Sequence, residues 1–206
     1  MSTPTTPPDL RARNLRMLAA LAGLFLLPLL LAFFMYYATD WRPVKRVNHG
    51  MLITPARPLP AVHLPQVNLS DSGPPAADAQ QLRSRWSIVY IGAGNCDEPC
   101  RQALYVMRQT RLSLNNDMSR LERVFLTTGN CCARDFLAHE HPGLMVLDAK
   151  DEQGTRLLRE FPADGRPYSV FIVDPLGNLM MSYDARQNPK GLLEDLQKLL
   201  RLSHIG

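Results

Sequence analysis

Four cysteines carry most of the chemistry available to this sequence. Cys96 and Cys100 enclose Asp97-Glu98-Pro99 in a C-x-x-x-C spacing, after the apolar run Trp86–Ile91 and the breaker Gly92-Ala93-Gly94-Asn95. The pair reads as the opening of a helix. The unpaired N–H groups and dipole of a helix N-terminus favour thiolate over thiol. A thiolate is both a redox nucleophile and a soft metal ligand, so the pair points to disulfide exchange or to Cu(I) binding. The plainer reading is a staple or an inert buried pair. Asp97 and Glu98 suit the helix start, but their negative charge opposes strong thiol activation. Cys131-Cys132 follows Thr127-Thr128-Gly129-Asn130. It reads as one buried and one exposed thiol, as accessory thiols that resolve a disulfide with Cys96 or Cys100, or as an extra thiolate for a metal.

The elements around these residues alternate between strand and helix patterns. Trp86–Ile91 is an expected strand, Pro99 to about Asn116 an expected helix, and Arg123–Thr127 a second strand. Ala133–His139 is an expected short helix, followed by the apolar segment Gly143–Asp148. Tyr168–Asp174 is a strand, and Pro175-Leu176-Gly177-Asn178 turns it into Leu179–Tyr183 as a hairpin. Pro189–Leu202 closes the chain as an amphipathic helix with Leu192, Leu193, Leu196, Leu199 and Leu200 on one face. That order is α/β and matches a thioredoxin-like domain, its first two core strands parallel through a crossover. Parallel strands end at the same sheet edge, so all four cysteines are expected to converge there. In such domains a cis-proline ahead of the late strand faces the thiol pair, which makes Pro167 a candidate catalytic residue.

The chain has 206 residues, enough for one medium domain and an addition. The addition is Met17–Tyr37, 21 residues without a charge. At about 1.5 Å per residue it spans the roughly 30 Å core of a bilayer. A cleaved signal peptide is the alternative, but the run exceeds a typical h-region and no A-x-A site follows. Arg11, Arg13 and Arg16 precede it and Arg42, Lys45 and Arg46 follow it, so the positive-inside count is nearly tied. A short N-terminal tail normally stays inside. The expected organisation is a cytoplasmic tail at 1–16, a transmembrane helix at 17–38, a Pro-rich stalk and entry segment at 39–75, and a thioredoxin-like domain at 76–206. Within these, 1–9 reads as disordered, Asp71–Pro75 as a turn and Ala76–Arg83 as a short helix. Net charge is +4 with no basic block interleaved with aromatics, which argues against nucleic acid as a partner.

Trp86-Ser87-Ile88-Val89-Tyr90, the following C-x-x-x-C and Val170-Phe171-Ile172-Val173-Asp174-Pro175-Leu176-Gly177 resemble the Sco family. Those are membrane-anchored thioredoxin-fold proteins that help deliver copper during cytochrome c oxidase assembly. The resemblance covers roughly 60–202. It implies a copper site built from Cys96, Cys100 and a histidine just before the late strand, where this chain has Arg166. His139 or His141 would have to serve as replacement ligands; otherwise they are solvated side chains. Gly165-Arg166-Pro167-Tyr168-Ser169 is instead similar to the cis-proline loop of membrane-tethered thiol–disulfide reductases, which usually carry C-x-x-C.

Three functions follow as expectations. The first is thiol–disulfide exchange in cytochrome oxidase assembly, with Cys96 as the outer attacking thiolate, Cys100 resolving, and no cofactor required. Its partner would be an oxidase subunit or a copper chaperone. The second is a Cu(I) metallochaperone using Cys96 and Cys100 with His139, His141 or a third thiolate. The third is a non-catalytic thioredoxin-like interaction module. The implied location is a bacterial inner membrane, single-pass, with the C-terminal domain periplasmic and the bilayer contacted through 17–37. His49 and His63 are given no chemistry, and Met180-Met181 is expected to pack in the core.

Overall fold

A computed structural model describes residues 8–38, 47–69 and 81–206. The first seven residues, the basic segment after the apolar helix, the turn at 71–75 and most of the short helix expected at 76–83 lie outside the described residues. The chain divides into two units, Met1–Arg46 and Val47–Gly206.

The first unit contains helix α1, Pro8–Ala38. Its stretch Leu10–Ala38 is long and apolar enough to cross a membrane. It begins upstream of the uncharged run because Arg11, Arg13 and Arg16 are good helix formers, and Pro28 sits inside it without ending it.

The second unit is a six-stranded sheet with order β1-β6-β5-β2-β3-β4. Its strands are β1 Met51–Pro58, β2 Trp86–Gly92, β3 Leu121–Thr127, β4 Met145–Asp148, β5 Ser169–Val173 and β6 Asn178–Asp184. Strands β2, β3 and β4 are parallel, whereas β5, β6 and β1 add antiparallel ladders. The helices of this unit are α2 Glu98–Ser113, α3 Arg134–Glu140, α4 Glu152–Arg159 and α5 Pro189–Leu202.

Side chains of β2 alternate between two cores, as strand geometry requires. Ile88 and Tyr90 join α2 and α5 through Leu104, Met107, Leu192 and Leu196. Val89 and Ile91 face the other way, toward Leu157 of α4 and Leu59, Val62 and Leu64. Both faces of β2 are buried, which explains its continuous apolar run. Met181 of β6 lies in the first core, as the Met180-Met181 reading expects.

Two features depart from the sequence reading. The segment expected as a stalk contributes β1, whose Met51 and Leu52 pair with Ser182 and Met181 of β6 and whose Arg57 and Pro58 pair with Leu179 and Asn178. Its prolines are tolerated because it is an edge strand with one bonded side. Further on, Val67 N–H donates to the Val146 carbonyl and Asp148 N–H to that of Pro65, so this segment also covers the β4 edge. The second departure is α4, capped by Asp151, which accepts from Gly154 N–H at 2.6 Å.

Candidate functional site

Helix α2 starts where the sequence places it, and its first turn is built by three residues. Asp97 is the N-cap, with extended backbone, and its carboxylate accepts from Cys100 N–H at 3.3 Å. Pro99 occupies the first turn, where a missing N–H goes unnoticed. Cys96, just before the cap, has φ 48°, the left-handed region that a side-chain-bearing residue rarely adopts. That turn brings Cys96 round to Cys100, and the two form a disulfide with Cα atoms 5.0 Å apart.

Neither sulfur faces solvent. Cys96 is 1% exposed and Cys100 0%, both inside the α2/α5-side core. The expectation of an outer Cys96 therefore does not match the oxidised form. The backbone before it is held tightly, since Ala133 N–H donates to the Gly94 carbonyl and Thr128 N–H to that of Gly92. After it, Arg101 Nε donates to the Cys96 carbonyl at 3.3 Å while its guanidinium lies over the Phe136 ring. Arg101 was not anticipated, although a long side chain one residue past Cys100 has the reach.

Cys131 and Cys132 are joined to each other across a cis peptide bond. Both are partly buried and pack, with Ala133 and Phe136, against the core cluster containing Cys96 and Cys100. Gly94 makes this approach feasible: a Cβ there would sit 2.6 Å from Cys131 Cα and 2.5 Å from the Asn130 carbonyl oxygen. The expected convergence of four cysteines at one sheet edge is the observed arrangement.

Pro167 departs from expectation. Among the described residues the cis bonds are Thr54–Pro55 and Cys131–Cys132, so Arg166–Pro167 is trans. Gly165, at φ 66°, opens a 3-10 turn at Arg166–Tyr168, and proline's fixed φ suits the start of such a turn. The turn still packs against β2 and α2. Its Pro167 carbonyl accepts from Tyr90 OH at 3.0 Å. Burial, helped by Asp97 and Tyr168, pushes the Tyr90 hydroxyl's pKa well above its usual value and keeps it protonated.

The candidate copper ligands do not assemble. Among the described residues no three His, Cys, Asp or Glu side chains are placed to hold a metal ion. His139 is exposed on α3. His141 is 4% exposed and packs edge-on to Phe136, with Nδ1 unpartnered. Burial, then Arg123 and Arg108, pushes its pKa down to about 4, against a smaller opposing effect from Glu140. Arg166 donates to the carbonyls of Leu158, Phe161 and Pro162 at the end of α4. With the C-x-x-x-C pair oxidised, the residues present do not make a copper set.

The family model described as transmembrane-like, thioredoxin-like, C-terminal domain matches residues 86–203. The chain belongs to that family. The match begins at β2 and includes all four cysteines and the 166–168 turn. Among solved structures, copper-bound yeast Sco1 is similar with TM-score 0.52 and 17% identity, covering 60% of this chain and 83% of that one. Apo Sco1 from Thermus thermophilus is similar with TM-score 0.53 and 14% identity, covering 76% and 99%. At these identities the likeness establishes the thioredoxin-like fold of this family member. No curated protein matches the chain.

Proposed function

We propose that this protein is a membrane-anchored, extracytoplasmic thiol–disulfide exchange factor acting through Cys96 and Cys100 in cytochrome c oxidase assembly. The observation that carries it is the Cys96–Cys100 disulfide on the first turn of α2, at the carboxyl end of parallel strand β2. Reduction would leave Cys100 receiving the field of the helix start, with its N–H bonded to Asp97. Once reduction releases the first turn of α2, a Cys96 thiolate attacks a client disulfide and Cys100 resolves the mixed species, so one S–S bond breaks for each one formed. Pro167 enters this reading as part of the trans turn that packs on β2 and α2, its carbonyl bonded to Tyr90. The bacterial inner membrane and a periplasmic domain belong to this reading, as does an oxidase subunit or copper chaperone as client.

The test is redox titration of the full chain in detergent against glutathione, with Cys96 and Cys100 counted by alkylation. A dithiol–disulfide equilibrium within the glutathione range is expected, together with loss of oxidase assembly on Cys96→Ser and Cys100→Ser. Normal assembly with both replaced by Ser would leave only the interaction-module reading.

A second reading, a Cu(I) carrier, is favoured by the likeness to a copper-bound fold and requires Cys96 and Cys100 as reduced thiolates. Reduced protein that retains copper through purification, and loses it on Cys96→Ser, would select it.

A further inference from the structure

The Cys96–Cys100 disulfide has a reactivity problem, because a thiolate must approach along the S–S axis and both residues are buried. The only other sulfurs among the described cysteines are Cys131 and Cys132. They are half-buried, and Gly94 brings their loop against the segment leading into Cys96. The Ala133–Gly94 hydrogen bond, 2.9 Å long, fixes that approach. Arg101 closes it from the α2 side by holding the Cys96 carbonyl and covering Phe136 of α3.

We propose that Cys131 and Cys132 form a relay that carries reducing equivalents from an external protein dithiol to the buried Cys96–Cys100 pair. This rests on the thiol-exchange reading above and assigns its route. The external dithiol reduces Cys131–Cys132 and is itself oxidised to a disulfide. One of the two freed thiolates attacks a sulfur of Cys96–Cys100, forming an inter-loop disulfide and releasing the other sulfur as thiolate. The second of the pair attacks the inter-loop bond, which restores Cys131–Cys132 and leaves Cys96 and Cys100 reduced. Every step breaks one S–S bond and forms one. The two electrons of the donor dithiol end on Cys96 and Cys100, and its two protons complete their thiols.

The test uses the full chain in detergent, with reduced thioredoxin as the protein dithiol. In Cys131→Ser/Cys132→Ser, the rate of Cys96–Cys100 reduction should fall at least tenfold. Its equilibrium constant with glutathione should stay within threefold of wild type. Equal rates in the two proteins overturn the relay and leave the exchange reading standing. Failure to reduce Cys96–Cys100 in wild type at any glutathione ratio overturns both. A second measurement is independent of whether that variant folds. Four double variants each keep one cysteine of either loop, as in Cys96→Ala/Cys131→Ala. At least one should form an inter-loop disulfide detectable by peptide mass mapping, and its absence from all four overturns the relay.

Discussion

His141 is a buried side chain whose charge state the fold controls. An imidazole titrates near 6.5 in an unfolded chain, whereas burial beside Arg123 and Arg108 lowers it to about 4 here. Between those values the unfolded state binds a proton that the folded state refuses, so stability falls as the medium is acidified. The contribution is fully present above about pH 6.5 and is lost as pH drops toward 4, amounting to roughly 3 kcal/mol across the window. His141→Phe, which keeps a ring beside Phe136, should flatten this dependence. Urea midpoints at pH 7.5 and 4.5 would check it, and an unchanged acid loss in the variant would refute the assignment. Tyr90 offers a second reading at this scale. Tyr90→Phe keeps the ring in the core but strands the Pro167 carbonyl, and should lower stability by about 1 kcal/mol in denaturant unfolding.

At the scale of elements, the decisive contact is between the loop after β2 and the loop after β3. Gly94→Ala forces a Cβ onto backbone atoms of Asn130 and Cys131, which cannot swing aside as a side chain would. The expected loss is about 1–3 kcal/mol, with alkylation of reduced Cys96 and Cys100 accelerated as the loops part. Unchanged alkylation rates would mean that the loop does not guard the pair. This convergence was legible in the sequence because parallel strands deliver their following loops to one edge. Helix α2 and helix α5 were legible for local reasons, through Asp97 and Pro99 in one and Pro189 with its leucine face in the other. The burial of Cys96 was not, since it depends on a left-handed residue and on a loop thirty-five positions away. Pro167 misled for a related reason. The fold pattern suggested a cis bond, while Gly165 supplies the left-handed turn that lets a trans proline begin a 3-10 turn. Helix α4, with eight residues and a glycine, is too short for periodicity to reveal.

At the scale of the molecule, the question is where the folded domain begins. The sequence assigns 39–75 to a stalk and entry segment because prolines break helical periodicity there, but extended backbone also suits an edge strand. What distinguishes them is the partner. Asp195 of α5, 4% exposed, accepts from the backbone N–H of His49 and Gly50 and from Tyr183 OH of β6, while His49 also reaches Glu194. Burial pushes the Asp195 carboxyl upward, yet the bonds from Tyr183, His49 and Gly50 prevail and hold it below its ordinary value. Its contribution is therefore present above about pH 4 and lost as pH falls further. Gly50 lies so close beneath the Tyr183 ring that no side chain fits between them. One buried carboxylate thus joins the chain ahead of β1 to both β6 and the last helix. Asp195→Ala should cost about 2–4 kcal/mol, since it removes at once the carboxylate acceptor of the Tyr183 hydroxyl and of two backbone donors. A chain beginning at Val47 should unfold cooperatively, whereas one beginning at Pro60 loses β1 and the clamp and should melt well below it. Equal melting temperatures for the two would return this segment to a stalk. A lower one for the shorter chain would place the domain boundary at Val47, upstream of every proline in β1.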